Sequence, residues 1–231
     1  MSILRLNSVE AEGGGRYYQS PNTLRWYPSV TTVVNHEMDD HWREWRKKPE
    51  NLAISKKALA RGNRLHSMVE EYLKENVTPT DPFDRMNFDL LQPYLNKMGH
   101  IHAIETPMYS DQILMAGRVD CVAEYDGELA IVDFKTAGKE KTKDQIQNYF
   151  HQTTAYSHMW NETHVESEKI GRLVILIVTD EGTVQEFVDR PIAHKKTLFS
   201  VMRSYWDKHS FKEVQERANA IFESNFRSKS A

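Results

Sequence analysis

The stretch that decides the fold is GRVDCVAEYDGELAIVDFKT, running from Gly117 to Thr136. Asp126-Gly127 lies between two runs rich in Val, Ile and Tyr, which predicts a two-residue hairpin turn because both turn positions need φ > 0. Counting outward from Tyr125 opposite Glu128 sets Asp120 opposite Asp133 and Arg118 opposite Lys135. Directly opposite residues share a face, with Cβ atoms about 4.5–5.5 Å apart. Lys135 shares that face with Asp133 because strand side chains alternate. The other face places Val119, Cys121 and Ala123 against Ala130, Val132 and Phe134. Being wholly apolar it is the expected core side, so burial fixes the register and keeps the charged set out of the interior. Two carboxylates held against each other repel, and a divalent cation between them removes the conflict. Oxygen ligands at this spacing suit Mg2+, with Mn2+ as a substitute. The competing reading is a solvated checkerboard of Asp and Lys, which like charges directly opposite disfavour.

Working outward, the rest of the chain is ordinary globular material. Of 231 residues, 39% are hydrophobic and 27% charged, which excludes a disordered or fibrous protein. No apolar run approaches the roughly 18 residues of a membrane span. The single cysteine, Cys121, excludes an internal disulfide, a four-cysteine zinc site and a protein-held iron–sulfur cluster. The opening MSILRLNSVEAE has neither a secretion signal's apolar core nor a transit peptide's lack of acids, so a cytoplasmic location is expected. Net charge is −3, yet Arg43 to Arg64 carries eight Lys/Arg against two Glu. Such a stretch is either a solvated basic helix pair or a nucleic-acid face. Ala137-Gly138-Lys139 lacks the rest of a phosphate-binding loop, no G-x-S-x-G elbow occurs, and the ten histidines give no four-ligand zinc spacing.

Hydrophobic period places the elements. Ser29 caps a short helix through Val34, after an extended piece around 23–27. Trp42 and Trp45, three apart, belong to a helical turn, and that spacing favours core over base stacking. Pro49 opens a helix through Leu52, Leu59, Leu65, Met68 and Val69 to Leu73. Asp81-Pro82 starts another, with Phe88, Leu91, Tyr94, Leu95 and Met98 as its buried stripe and Gly99 as its stop. From about residue 101 the period changes to two, giving strands over 101–110, 113–125 and 128–136. A helix follows from about Lys143 to Asn161. The run 173–180 reads as a strand buried on both faces, 183–189 as its edge partner, and Pro191 and Phe211 open two last helices. The expected class is α/β: a mixed central sheet flanked by helices, with a helical N-terminal layer.

GRVD followed across a hairpin by IVDFKT resembles the catalytic core of the PD-(D/E)XK (restriction-endonuclease-like) nuclease superfamily. Downstream, Gln152 and Tyr156 in QTTAY match the Q-x3-Y motif of its RecB-like branch. Upstream, RGNRLHSMVEE supplies Gly62, His66 and Glu70, like that branch's helical histidine motif. Pro28 to Thr31 (PSVT), Ile104-Glu105 and the hairpin text resemble the group containing the mitochondrial genome maintenance exonuclease and its phage relatives. The match covers roughly residues 26–180, and no Pro precedes Asp120, where Val119 stands.

The resemblance implies a single nuclease domain over 1–231: a mainly helical DNA-binding layer (1–100), a catalytic sheet core (101–190) and C-terminal helices (191–231). It implies a Mg2+-dependent DNA exonuclease preferring single strands with a free end, serving replication, repair or recombination alongside proteins of those processes. Asp120, Asp133, Lys135 and Gln152 would be catalytic. Asp120, Asp133, the Phe134 carbonyl and His66 would hold metal, with Glu105 and Glu70 as further candidates. Arg61, Arg64, Ser29, Thr31, Thr136 and Tyr156 are the candidate DNA contacts, although Ser29 is equally explained as a helix cap. The alternatives are a structure- or sequence-specific endonuclease on the same core, or a non-catalytic DNA-binding recombination subunit.

Overall fold

The computed structural model describes residues 5–11, 15–37, 44, 45, 48–166 and 168–229, so Trp42 lies outside it. Short strands β1 (Ser8–Glu10), β2 (Arg16–Gln19) and β3 (Trp26–Pro28) pair antiparallel in chain order. Helices α1 (Val30–Val34), α2 (Pro49–Glu75) and α3 (Pro82–Leu95) follow. Strands β4 (Met98–Ser110), β5 (Met115–Tyr125) and β6 (Glu128–Ala137) form a meander. A 3-10 turn (Lys143–Ile146) and α4 (Gln147–Thr163) then lead to β7 (Arg172–Thr179), β8 (Val184–Asp189), α5 (Pro191–Lys208) and α6 (Phe211–Lys229). The five long strands form one sheet in the order β4-β5-β6-β7-β8. Only β6 and β7 run parallel, and α4 makes the crossover that parallel neighbours require. None of the described helices is long and apolar enough to cross a membrane.

The hairpin turn forms as its chemistry demands, with φ of 49° at Asp126 and 77° at Gly127. Tyr125 pairs with Glu128 and the expected register holds as far as Cys121 opposite Val132. There the ladder stops. Arg118 pairs with Pro107 of β4, not with Lys135. The cause is local: the Phe134 N–H donates to Asp120 Oδ2 at 2.9 Å, so a side chain occupies the main-chain donor and the strands part.

Both faces of the sheet are covered, which corrects the expectation that the charged set stays outside the interior. Cys121, Ala123, Ala130, Val132 and Phe134 pack on Leu65, Met68 and Val69 of α2 and Phe88, Leu91 and Leu95 of α3. On the other side Val122, Leu129, Ile131 and Ile175 meet Phe150, Ala155 and Met159 of α4. Val119, expected beside Cys121, joins this second cluster, because β5 turns toward α1 after leaving β6. Asp133 is consequently 2% exposed and Asp120 8%.

The helix starts are those the sequence announces. Ser29 Oγ accepts from the Thr32 amide at 3.0 Å, Asp81 Oδ1 accepts from Phe83 and Asp84, and proline opens α2, α3 and α5. Three readings need correction. Leu52 and Leu59 are exposed, since α2 reaches the sheet only from Leu65 onward. Met98 and Gly99 begin β4, because the chain passes straight from α3 into the edge strand. The N-terminal sheet, of which the sequence suggested only the piece near 23–27, packs Val9, Tyr17 and Trp26 on Val214 and Ala218 of α6. Gln215 bridges both main-chain groups of Trp26, and Asn219 Oδ1 takes its indole N–H at 2.7 Å.

Asp189 ties the end of β8 to its surroundings. Lys143 Nζ lies 2.6 Å away, His194 Nε2 at 3.0 Å, and the Arg190 amide donates at 2.8 Å. Burial alone would push this carboxyl up, but those hydrogen bonds hold it down at about 2. A depressed folded value means stabilisation that is present above the unfolded value near 4 and lost as pH falls toward 2. Asp189→Asn is expected to cost about 1 kcal/mol at pH 7, allowing for solvent screening. Denaturant melts at pH 7 and pH 3 check this; the gap between variant and parent should shrink at the lower pH.

Candidate active site at the parting of the hairpin

Where β5 and β6 separate, three carboxylates stand in a row on adjacent strands. Pairing of Ile104 with Cys121 and Thr106 with Val119 brackets Glu105 opposite Asp120, and Asp133 follows one step beyond the Cys121–Val132 pair. Glu105 has φ of 46°, a left-handed conformation inside a strand that costs about 1–3 kcal/mol and marks a constrained position. From α2, His66 Nδ1 reaches Glu105 Oε1 at 3.1 Å and lies 3.7 Å from Asp120 Oδ2. One donor atom each from His66, Glu105 and Asp120 falls within 4.8 Å of the others.

Asp133 is held differently. Gln152 Nε2, from α4, donates to its Oδ1 at 3.1 Å. Lys135 Nζ pairs with the buried Oδ2 at 2.5 Å. Lys135 also sits over the Tyr149 ring, 5.4 Å from its centroid.

Burial and crowded negative charge together shift these groups. Burial, then the Asp120 charge, drive the Asp133 carboxyl up to about 7 against the pull of Lys135 and His66. Burial would lower Lys135, yet Asp133 and Asp120 outweigh it and raise the ammonium. His66 is likewise raised: its burial is overcome by the hydrogen bond to Glu105 and the charge of Asp120. The His66 imidazole and the Glu105 and Asp120 carboxylates form a donor set that fits a hard divalent cation, and Asp133 lies beside them, ion-paired with Lys135.

The structure brings Asp120, Asp133, Lys135, Gln152, His66 and Glu105 together. Phe134 joins through its main chain, its ring lying in the core. Tyr156 is buried against the hairpin, where its hydroxyl crowds Gly117. This contact explains both motifs at once: a Cβ on Gly117 would lie 2.6 Å from the Tyr156 oxygen. Ser29 bridges to Ala116 beside the site, but its hydroxyl is engaged with Thr31, Thr32 and the cap.

Other candidates lie apart. Arg61 pairs with Asp180, and Arg64 with Asp81 and Asp84. At five and two residues before His66 they sit about 140–160° round α2 from it. Glu70 is taken by Lys74 at 2.6 Å, and Thr136 faces away from Lys135 by strand alternation.

Two neighbours were missed in the sequence. Arg118, two residues before Asp120 and on its face, pairs through Nε with Glu105 Oε2 at 2.8 Å while its side chain stays 59% exposed. Tyr149 precedes Gln152 by one helical turn. Motif spacing contained both signals, i−2 on a strand and i−3 on a helix.

The family model for the PD-(D/E)XK nuclease superfamily matches residues 17–229. The chain belongs to this superfamily. Mitochondrial genome maintenance exonuclease 1 of Mus musculus is 26% identical over 200 residues, covering 78% of this chain and 56% of that protein. Its Homo sapiens counterpart is 27% identical over 129 residues, covering 53% and 37%. The chain thus spans about half the length or less of the curated relatives it matches. Among solved structures, a putative exonuclease from Eubacterium rectale superposes with a TM-score of 0.49 at 13% identity, covering 84% and 82%.

The Gly117–Tyr156 contact is testable. Gly117→Ala should destabilise by about 1–3 kcal/mol through overpacking, measured by urea unfolding. Adding Tyr156→Phe, which removes the closest atom, should recover part of that loss, a coupling that independent sites would not show.

Proposed function

We propose that the chain is a divalent-metal-dependent DNA exonuclease, a single nuclease domain acting on single strands with a free end during replication, repair or recombination. The observation that carries the reading is the row of three carboxylates on adjacent strands, with His66 at one end and the buried Asp133 held by Lys135 and Gln152 at the other. Similarity to exonucleases supports the end-dependent form over an endonuclease.

Asp120, Asp133, Glu105 and His66 would hold Mg2+ or Mn2+, which supplies a more acidic water and neutralises charge on the phosphate. The chain's own residues do the rest. Gln152 fixes one oxygen of the Asp133 carboxylate and Lys135 pairs with the other, so the group keeps one direction. The Lys135 ammonium, kept charged by Asp133 and backed by the Tyr149 ring, orients the attacking water and steadies negative charge on the phosphate. The water oxygen bonds to phosphorus as the ester P–O bond breaks. The water's proton passes to solvent, and the departing oxygen takes up a proton from solvent. At the rim, the exposed guanidinium of Arg118, anchored by Glu105, contacts a neighbouring backbone phosphate.

Linear single-stranded, circular single-stranded and linear duplex DNA, each with Mg2+ and with EDTA, provide the test. Only the linear single strand should be degraded, and only with metal. Lys135→Ala and Asp133→Ala should each lower the rate at least about 100-fold while the protein stays folded. Cutting of the circle would make the chain an endonuclease, and undiminished cleavage by folded Asp133→Ala would defeat the assignment.

A further inference from the structure

On the far side of α4 from the candidate active site, a cleft of about 320 Å³ opens between α4 and the first turns of α5. His158, on its wall, is six residues beyond Gln152, about 240° round the helix and 9 Å along it. The floor is apolar: Ile113, Ile170 and Leu198 are all buried. At the mouth, Ile192 and Phe199 of α5 are 76% and 40% exposed, an apolar extension of the floor onto the surface.

The polar groups of the cleft divide by what they already do. Thr154 and Ser157 donate to the main-chain oxygens of Phe150 and Thr154, and Asn161 Oδ1 accepts from the Ile170 amide. The adjacent acids are committed as well, Glu162 to Ser110 and Glu128 to Arg172. Three nitrogen groups are left. His158 Nε2 is buried without a hydrogen-bonded partner, with Glu162 Oε2 out of reach at 3.8 Å. Arg190 is 71% exposed and only loosely opposed by Glu128, at 3.8 Å. Lys195 lies over the Phe199 ring at 5.9 Å. Two spare cations and an imidazole around an apolar floor complement an anion that carries a greasy group.

We propose that this cleft docks a partner protein through a short acidic segment. One apolar side chain of the segment sits on Ile113, Ile170 and Leu198, and an adjoining carboxylate is held by Lys195, Arg190 and His158 Nε2. The apolar floor and the Ile192–Phe199 extension favour a peptide over a nucleic-acid backbone, which would meet phosphates with hydrocarbon. An edge of the nuclease remote from the carboxylate row would then tether the chain to its place of work without obstructing the site.

The probe is a fluorescein-labelled hexapeptide, Gly-Glu-Asp-Asp-Leu-Phe with a free terminal carboxylate, titrated against the whole chain in EDTA without DNA. Fluorescence anisotropy should saturate in the range of tens of micromolar. Lys195→Glu and Ile192→Asp, both at exposed positions, should each weaken binding at least about tenfold. Asp133→Asn should leave it unchanged, and cleavage of naked DNA by Lys195→Glu should match the parent. No saturation up to about 1 mM, equal binding by the two cleft variants, or displacement by an oligonucleotide would overturn the proposal. Because the readout uses neither metal nor cleavage, its failure is separate from any failure of the nuclease assignment.

Discussion

The rest of the structure depends on one hydrogen bond, from the Phe134 amide to the Asp120 carboxylate. It ends the β5–β6 ladder at Cys121 and Val132, one step short of the expected Asp120–Asp133 pair, and the strands part there. An ordinary ladder would leave the two acids on a solvated face, free to turn away from each other. Here α2 and α4 close over both faces, so the repulsion is buried and maintained. Burial, with the Asp120 charge added, raises Asp133, and the neighbouring carboxylates raise Lys135 and His66 against their own burial.

The scaffold shows why the charge cannot relax. Asp133 lies on β6, the strand flanked on one side by parallel β7 and on the other by the hairpin. Gln152 and Tyr156, one turn apart on α4, reach the two strands from the same helix: one fixes Asp133 and the other packs on Gly117. The Q-x3-Y spacing is therefore a clamp across the parting of β5 and β6. Glu105 contributes from the edge strand through a left-handed backbone, which local packing has to sustain.

Much of this was legible in the sequence, and for identifiable reasons. The Asp126-Gly127 turn fixed the hairpin register because two positive φ angles leave few alternatives. The register failed beyond Cys121 because a side chain displaced the ladder, an event that alternation of apolar residues does not encode. The burial of both faces was hidden for a related reason: Val122, Leu129 and Ile131 are apolar too, and only the placement of α4 turns that face inward. Arg61 and Arg64 lie apart from His66 because nearness in sequence becomes distance around a helix. The three N-terminal strands are only three or four residues long, and their packing partner α6 is nearly two hundred residues away, beyond any local pattern. Glu105 was flagged only through similarity, since nothing in its own surroundings announces a left-handed residue in a strand.

The central claim is that the acids and His66 form one cation site whose negative charge is excessive without the ion. It is tested most directly by calorimetric titration of Mg2+ and Mn2+ into the parent protein and into Asp120→Asn and Asp133→Asn, with thermal melts alongside. The account predicts saturable binding and metal-dependent stabilisation in the parent, both sharply weakened in each variant. Equal binding and equal stabilisation in all three proteins would contradict it.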